Sequence, residues 1–231
     1  MKRIVITGAN RGIGFEFVRQ LSQHNYQVLA CYKDPEHCDD LKLFCKLNSN
    51  VQPLQLDVSN DMSIRGLAKE LGDQPIDWLI NNAGIQGEHG VTIGNIDRAN
   101  FINLMNVNCF GALKLSEKLL PNLQNGQDKL IVAISSALSS ISEHQIGRSY
   151  AYRSSKAALN CVMRSFAQDA MQFNIKAMVL NPGWVKTRIG GPKAPIDVQT
   201  SVSGMLNVIE KYKENSHAEV MRSFDDTTIK W

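Results

Sequence analysis

The chain has 231 residues, 43% hydrophobic and 20% charged, with 25 basic against 22 acidic residues and a net charge of +3. At roughly 150 residues per domain this is one large domain or two small ones, with enough chain for a core that needs no metal or disulfide staples. The near balance of charge, without long like-charged blocks, argues against a nucleic-acid surface or a polybasic membrane patch. No run approaches the roughly 18 apolar residues of a membrane span, and the start is too short in apolar residues for a signal peptide. Five cysteines without CxxC spacing fit a reduced, cytoplasmic protein, and the scattered histidines suggest no metal site.

In chain order, strand-length apolar runs fall at 3–7, 27–32, 51–57, 77–81, 129–135, 175–180 and, more weakly, 218–224. Several are continuous rather than alternating, as in strands covered on both faces. Helical patterns lie between them. Ile13, Phe17, Val18 and Leu21 form one apolar stripe, and longer helical segments run over about 97–120 and 150–173. Strand–helix repetition without a central linker predicts a single α/β domain over 1–231: a Rossmann-type doubly wound parallel sheet of about seven strands with helices on both faces. The Gly- and Pro-rich stretch 186–200 has the composition of a substrate lid. The two long helical segments carry apolar residues on more than one face, which suggests a homodimer or homotetramer.

The first strand runs directly into TGANRGIG. Gly8, Gly12 and Gly14 there allow a tight turn and close backbone approach to a pyrophosphate at the following helix N-terminus. The end of the second strand carries no acid at Tyr32, where an NAD-selective protein usually holds the ribose 2′-hydroxyl, whereas Lys33 and Arg11 offer positive charge to a 2′-phosphate. NADP(H) is therefore the expected cofactor, with NAD(H) as the alternative; Asp34 is the discordant residue. Tyr152 and Lys156, four apart, share a helix face, and a nearby ammonium favours a phenolate. Ser136, after the fifth strand, is a hydroxyl at the carboxyl edge of the sheet, where such folds bind ligands.

TGANRGIG, NNAG at 81–84, Ser136, Tyr152-x-x-x-Lys156 and NPGWVKT at 181–187 together resemble the short-chain dehydrogenase/reductase family from residue 3 to about 224. Within it, YAYRSSKAALN, the GGPKAP that follows PGWVKT, and the terminal Trp231 resemble the C-factor/sniffer-type carbonyl reductases. The resemblance implies Tyr152 as general acid in carbonyl reduction and base in the reverse direction. It implies that Ser136 positions the carbonyl, and that Lys156 binds the nicotinamide ribose and depresses the Tyr152 pKa. Asn108 would hold a water that relays protons from Lys156 to solvent. The cofactor would be bound by Gly8, Asn10, Arg11, Gly12, Ile13 and Gly14 of the first loop, and by Lys33. Asp57 and Val58 would contact the adenine, and Asn82, Ala83 and Gly84 would line the adenosine side. Pro182, Gly183, Val185 and Thr187 would hold the nicotinamide.

The interval from Ser136 to Tyr152 is 16 residues where many members have 13, which leaves Ser139 as an alternative to Ser136; Ser135 is a further neighbour. Tyr150 competes with Tyr152, but four residues on it meets Ser154 rather than a cation. Ile85, Leu138, Ile141, Ile146, Trp184 and Ile189 are candidate walls for a small, apolar carbonyl or alcohol substrate, and His144 lies in the same lip. Two other readings are a cofactor-binding regulatory or signalling protein without turnover, and a sugar-nucleotide epimerase or dehydratase. The 44 residues after Thr187 are short for the latter.

Overall fold

The apolar runs assemble as a sheet whose central strands bury both faces, while the outer strands leave residues exposed. The computed structural model describes residues 1–88, 90–143 and 147–231. The strands are β1 (Lys2–Ile6), β2 (Tyr26–Tyr32), β3 (Val51–Gln55), β4 (Trp78–Asn81), β5 (Leu130–Ile134), β6 (Lys176–Asn181), β7 (His217–Ser223) and β8 (Thr228–Ile229). Their order is β3-β2-β1-β4-β5-β6-β7-β8, parallel throughout except for the antiparallel β7–β8 pair. The direction of winding reverses between β1 and β4, which opens a crevice at the carboxyl ends of those strands.

Helices α1 (Gly12–Ser22), α2 (Asp39–Leu47) and α8 (Val198–Tyr212) cover one face, where Phe17, Val18, Leu21, Leu41, Val202 and Met205 pack on Ile4, Ile6 and Ile80. Helices α3 (Asp61–Leu71), α5 (Gly111–Lys118) and α7 (Tyr150–Ala170) cover the other, with Ile64, Leu67, Leu115, Leu159 and Met163 on Val5, Leu79 and Ile131. Neighbouring residues of β1 thus serve opposite core layers, as the pleat requires. At roughly 25 cal/mol per Å² of buried apolar surface, these two layers are the main source of stability.

The sequence pattern differs from this fold in three places. The segment 97–120 is not one helix. It divides into α4 (Arg98–Met105), a π turn (Asn106–Phe110) and α5, with α6 (Leu120–Asn125) beginning at the Leu120-Pro121 step. An eighth strand is present, two residues long and hence without a periodicity to read. The loose stretch gives way to α8 at Val198, because Asp197 caps that helix by accepting from Thr200 N at 2.7 Å. Among the described residues no helix is long and apolar enough to cross a membrane.

Candidate active site

The β1–α1 loop is held in shape by its own glycines and by β4. Gly8 has φ +64°, in the left-handed region. A Cβ on Gly14 would lie 2.2 Å from Gly8 O and 2.5 Å from Asn82 Nδ2, so only glycine fits there. Asn82 Nδ2 donates to Thr7 O (2.8 Å) and Gly8 O (3.2 Å), while Thr7 Oγ1 accepts from the backbone N–H groups of Asn82 (3.0 Å) and Ala83 (2.9 Å). NNAG and TGAN therefore lock each other at the switch point. Thr7 was absent from the sequence-derived residues; its signal was a hydroxyl ending an otherwise apolar strand. Asn10 ties the loop outward, donating to His37 O at 2.7 Å. Arg11, exposed, is the N-cap position of α1 but provides no side-chain cap, whereas α3, α4 and α8 are capped by Asn60, Asp97 and Asp197. Ile13 points back onto the core.

At the ends of β2 and β3, Lys33 pairs with Asp57 at 2.9 Å. Burial would raise the Asp57 carboxyl, but Lys33 and the Ser59 hydroxyl and N–H hold it below the ordinary value. Asp34 accepts from Glu36 N at 2.9 Å and meets His37 Nδ1 at 2.6 Å, and these bonds lower its pKa. Among the described residues no carboxylate pairs with Arg11. Val58 is buried, its carbonyl close against Gly111 at the start of α5.

The second half of the site lies at the ends of β5 and β6. Tyr152 and Lys156 stand one turn apart on α7, whose first residue is the competing Tyr150. Ser136 Oγ accepts from Leu138 N at 3.2 Å; burial raises the Tyr152 pKa, and the neighbouring Ser136 hydroxyl opposes that rise. Lys156 is buried and its ammonium donates to Ile134 O at 2.8 Å. Burial pulls its pKa down from 10.5 to about 8. The expected depression of Tyr152 by Lys156 is thus not seen: the phenol is pushed up by desolvation, and the ammonium is directed at the strand carbonyl.

Ser135 and Ser139 occupy a different environment from Ser136. Ser135 Oγ donates to Asn160 Oδ1 at 2.6 Å, Asn160 Nδ2 donates to Ser139 Oγ at 2.7 Å, and Ser139 Oγ donates to Ser136 O at 2.6 Å. This closed network is buried and engages the main chain of Ser136, not its hydroxyl. Asn160 was not singled out from the sequence, where it is one of many polar residues along α7.

Asn108 lies on the π turn, the kind of helix irregularity that recurs at functional sites. Its amide donates to Ile85 O (2.8 Å) and Ser155 Oγ (3.0 Å), and its carbonyl oxygen accepts from Ile85 N (2.8 Å). The side chain is thus engaged with protein partners on both sides of its amide. The space above Gly84 joins these parts: a Cβ there would be 3.3 Å from Asn108 Oδ1 and 3.4 Å from Lys156 Nζ.

After β6 the chain turns back toward the first loop. Pro182 O accepts from Ser201 Oγ at 2.6 Å, and Gly183 faces Ile196 and Phe224. Val185 is buried and forms a parallel bridge with Ile196. Thr187 reaches over Gly12, its methyl 3.4 Å from where a Gly12 Cβ would be. Leu138, Ile141, Trp184 and Ile189 are exposed and Ile85 half-buried. His144 and Ile146 lie outside the described residues. Among the described residues no three His, Cys, Asp or Glu side chains gather as a metal site.

The geometry agrees with comparisons to known proteins. A family model described as short chain dehydrogenase matches residues 2–195. C-signal of Myxococcus xanthus is 34% identical over 168 residues, covering 73% of this chain and all of that protein. The carbonyl reductase Sniffer of D. melanogaster superposes over the whole of both chains with a TM-score of 0.93 at 30% identity. An NADPH-bound carbonyl reductase from chicken fatty liver gives 0.93 at 30% identity, covering 100% of this chain and 99% of that one. With the sheet order, the locked glycine loop and the Ser136–Tyr152–Lys156 cluster, these likenesses show that the chain belongs to the short-chain dehydrogenase family of oxidoreductases.

Proposed function

We propose that the protein is an NADP(H)-dependent carbonyl reductase acting on a small, apolar aldehyde or ketone, or on the corresponding alcohol in reverse. The observation that carries this reading is the placing of Ser136 and Tyr152 as neighbours beside buried Lys156, one turn along α7 and bonded to Ile134 O, at the carboxyl edge of the sheet. The residues present fit a dinucleotide. α1 offers a helix N-terminus without a side-chain cap, and Gly14 leaves no room for a Cβ where the backbone must approach a pyrophosphate. Gly8, Asn10, Gly12 and Ile13 would shape the phosphate side. Asn82, Ala83 and Gly84, with Asp57 and Val58, would border the adenosine, and Pro182, Gly183, Val185 and Thr187 the nicotinamide. When bound, the cofactor supplies the hydride.

The chain supplies the rest. Tyr152, its pKa raised by burial, holds its proton at neutral pH and is poised to donate it to the alkoxide oxygen that develops. Ser136 Oγ orients the carbonyl oxygen against Tyr152 and stabilises the growing charge. Lys156 Nζ, positively charged below about pH 8, holds the ribose hydroxyls. Asn108 fixes the Ile85 backbone on the wall facing Lys156, and the π turn it sits on offers main-chain carbonyls for a relay water. Asp34, occupied by Glu36 N and His37, is withdrawn from a ribose 2′-hydroxyl, while Arg11 remains to meet a 2′-phosphate; Lys33 would share itself between that phosphate and Asp57. Of the 186–200 stretch, the part before α8, tied at Val185–Ile196, would form the substrate lid. Exposed Ile102, Phe110 and Met171 support a homodimer or homotetramer.

NADPH oxidation followed against a panel of apolar aldehydes, quinones and ketones tests the reading. Tyr152→Phe should lower kcat by about 10²–10⁴-fold, the range for removal of a general acid, with NADPH affinity unchanged. Unchanged turnover in that variant would refute the mechanism. The likeness to C-signal supports a second reading, a cofactor-binding signalling protein; binding of NADPH without turnover of any carbonyl would favour it.

A further inference from the structure

The wall between Ser136 and Tyr152 is fastened from far along the chain. Ser142 donates twice to the main-chain oxygen of Trp231, from its N–H at 3.1 Å and its hydroxyl at 2.8 Å. Trp231 is itself held. Its indole Nε1 donates to Glu219 O on β7 at 3.0 Å, and its ring packs with Ile229 on the core layer that contains α7. The short antiparallel β8 pairs Ile229 with Met221 and Thr228 with Arg222, and so delivers Trp231 to the lip. A pocket of about 180 Å³ is bounded by Trp231, Ile141 and Ser139 on one side and by Asn160, Cys161 and Arg164 of α7 on the other. Ser139 makes the second tie, donating to Ser136 O and lying 3.6 Å from Met221 Sδ.

From these contacts we infer that Trp231 is a positioning residue for the substrate wall, an inference that rests on the carbonyl reductase reading of the site. It holds residues 138–142 in register with Ser136, so that Leu138 and Ile141, both exposed, face a bulky apolar substrate as a preformed surface. A three-residue 3₁₀ turn followed by bends has little order of its own. Without the staple, binding a bulky substrate must also order the lip, a cost that enters KM. A small aldehyde that touches only Ser136 and Tyr152 escapes that cost.

Trp231→Ala, which removes the indole bond and the ring packing, tests this by hydrogen exchange of residues 137–143 and by KM. Exchange in the lip should quicken about tenfold, the equivalent of one to two hydrogen bonds, with a smaller change for Ser142→Ala. KM for a bulky aromatic ketone should rise by a similar factor of about ten, while KM for a small aliphatic aldehyde and the Kd of NADPH change less than about twofold. Unchanged lip exchange, or an equal rise of KM for both substrates, would overturn the inference. If Trp231→Ala does not fold, Trp231→Phe keeps the ring and loses the N–H, and the same comparison applies at smaller amplitude. Exchange needs no turnover, so a wild type inert toward every carbonyl would contradict the carbonyl reductase reading while the lip measurement still decides the staple.

Discussion

The cofactor side and the substrate side of the crevice are built by different means. Around β1 and β4 the shape is set by backbone: a left-handed Gly8, a Gly14 with no space for a Cβ, and Thr7 and Asn82 bonded to main-chain groups. Around β5 and β6 the shape is set by short turns that present exposed apolar side chains, Leu138, Ile141, Trp184 and Ile189. These turns are pinned by a few ties each, among them Trp184 Nε1 to Gly190 O at 2.7 Å and Ser142 to Trp231 O. The first arrangement tolerates least at Gly14 and Gly8, where an added Cβ meets backbone. The second can change its wall residues without disturbing the sheet, the usual way one scaffold comes to serve different substrates.

The largest break in this comparison is expected from Gly14→Ala. The added methyl must displace Gly8 O or Asn82, an overpacking cost of about 1–3 kcal/mol, so NADPH affinity should fall by one to two orders of magnitude in a fluorescence titration. An affinity equal to wild type would mean the loop is not the rigid half.

The pH profile probes the junction of the two sides. Burial lowers the Lys156 pKa to about 8, so its charge is complete below that pH and lost as pH rises through it. Tyr152, shifted upward, keeps its proton over the same range. Reductive kcat/KM should be flat at neutral pH and fall about tenfold per unit above pH 8; a break near 10 instead would assign it to another group. Next, Arg11→Ala should weaken NADPH about tenfold and NADH hardly at all, as loss of one charge-assisted contact requires. The smallest effect is Leu138→Ala, expected to raise KM for a bulky apolar ketone about threefold without changing cofactor affinity. A change in cofactor affinity there would blur the division between the sides.

The same division governs what could be read from the sequence. The glycine loop was legible from its place between a first strand and an amphipathic helix; the one-turn Tyr152/Lys156 spacing became specific only in that context, and NNAG only through the family resemblance. The seven longer strands were legible because continuous apolar runs of that length suit few other settings. The break of 97–120 into two helices around a π turn left no periodicity to detect, and β8 is too short to carry one. The Ser135–Ser139–Asn160 network, the Lys33–Asp57 pair and the Ser142–Trp231 staple join residues distant in sequence, and only the fold brings them together. The burial of the phenol and the strand carbonyl that engages Lys156 were out of reach for the same reason, since spacing gives only the neighbour on the helix.

The most direct test of the central claim is transfer of deuterium from NADPH labelled at the nicotinamide C4 to an apolar aromatic aldehyde, in wild type and in Tyr152→Phe. The account predicts deuterium on the former carbonyl carbon of the alcohol made by the wild type, and almost none with Tyr152→Phe although NADPH binds as before. Equal transfer by both proteins, or NADPH oxidation that leaves no deuterium in the product, would contradict it.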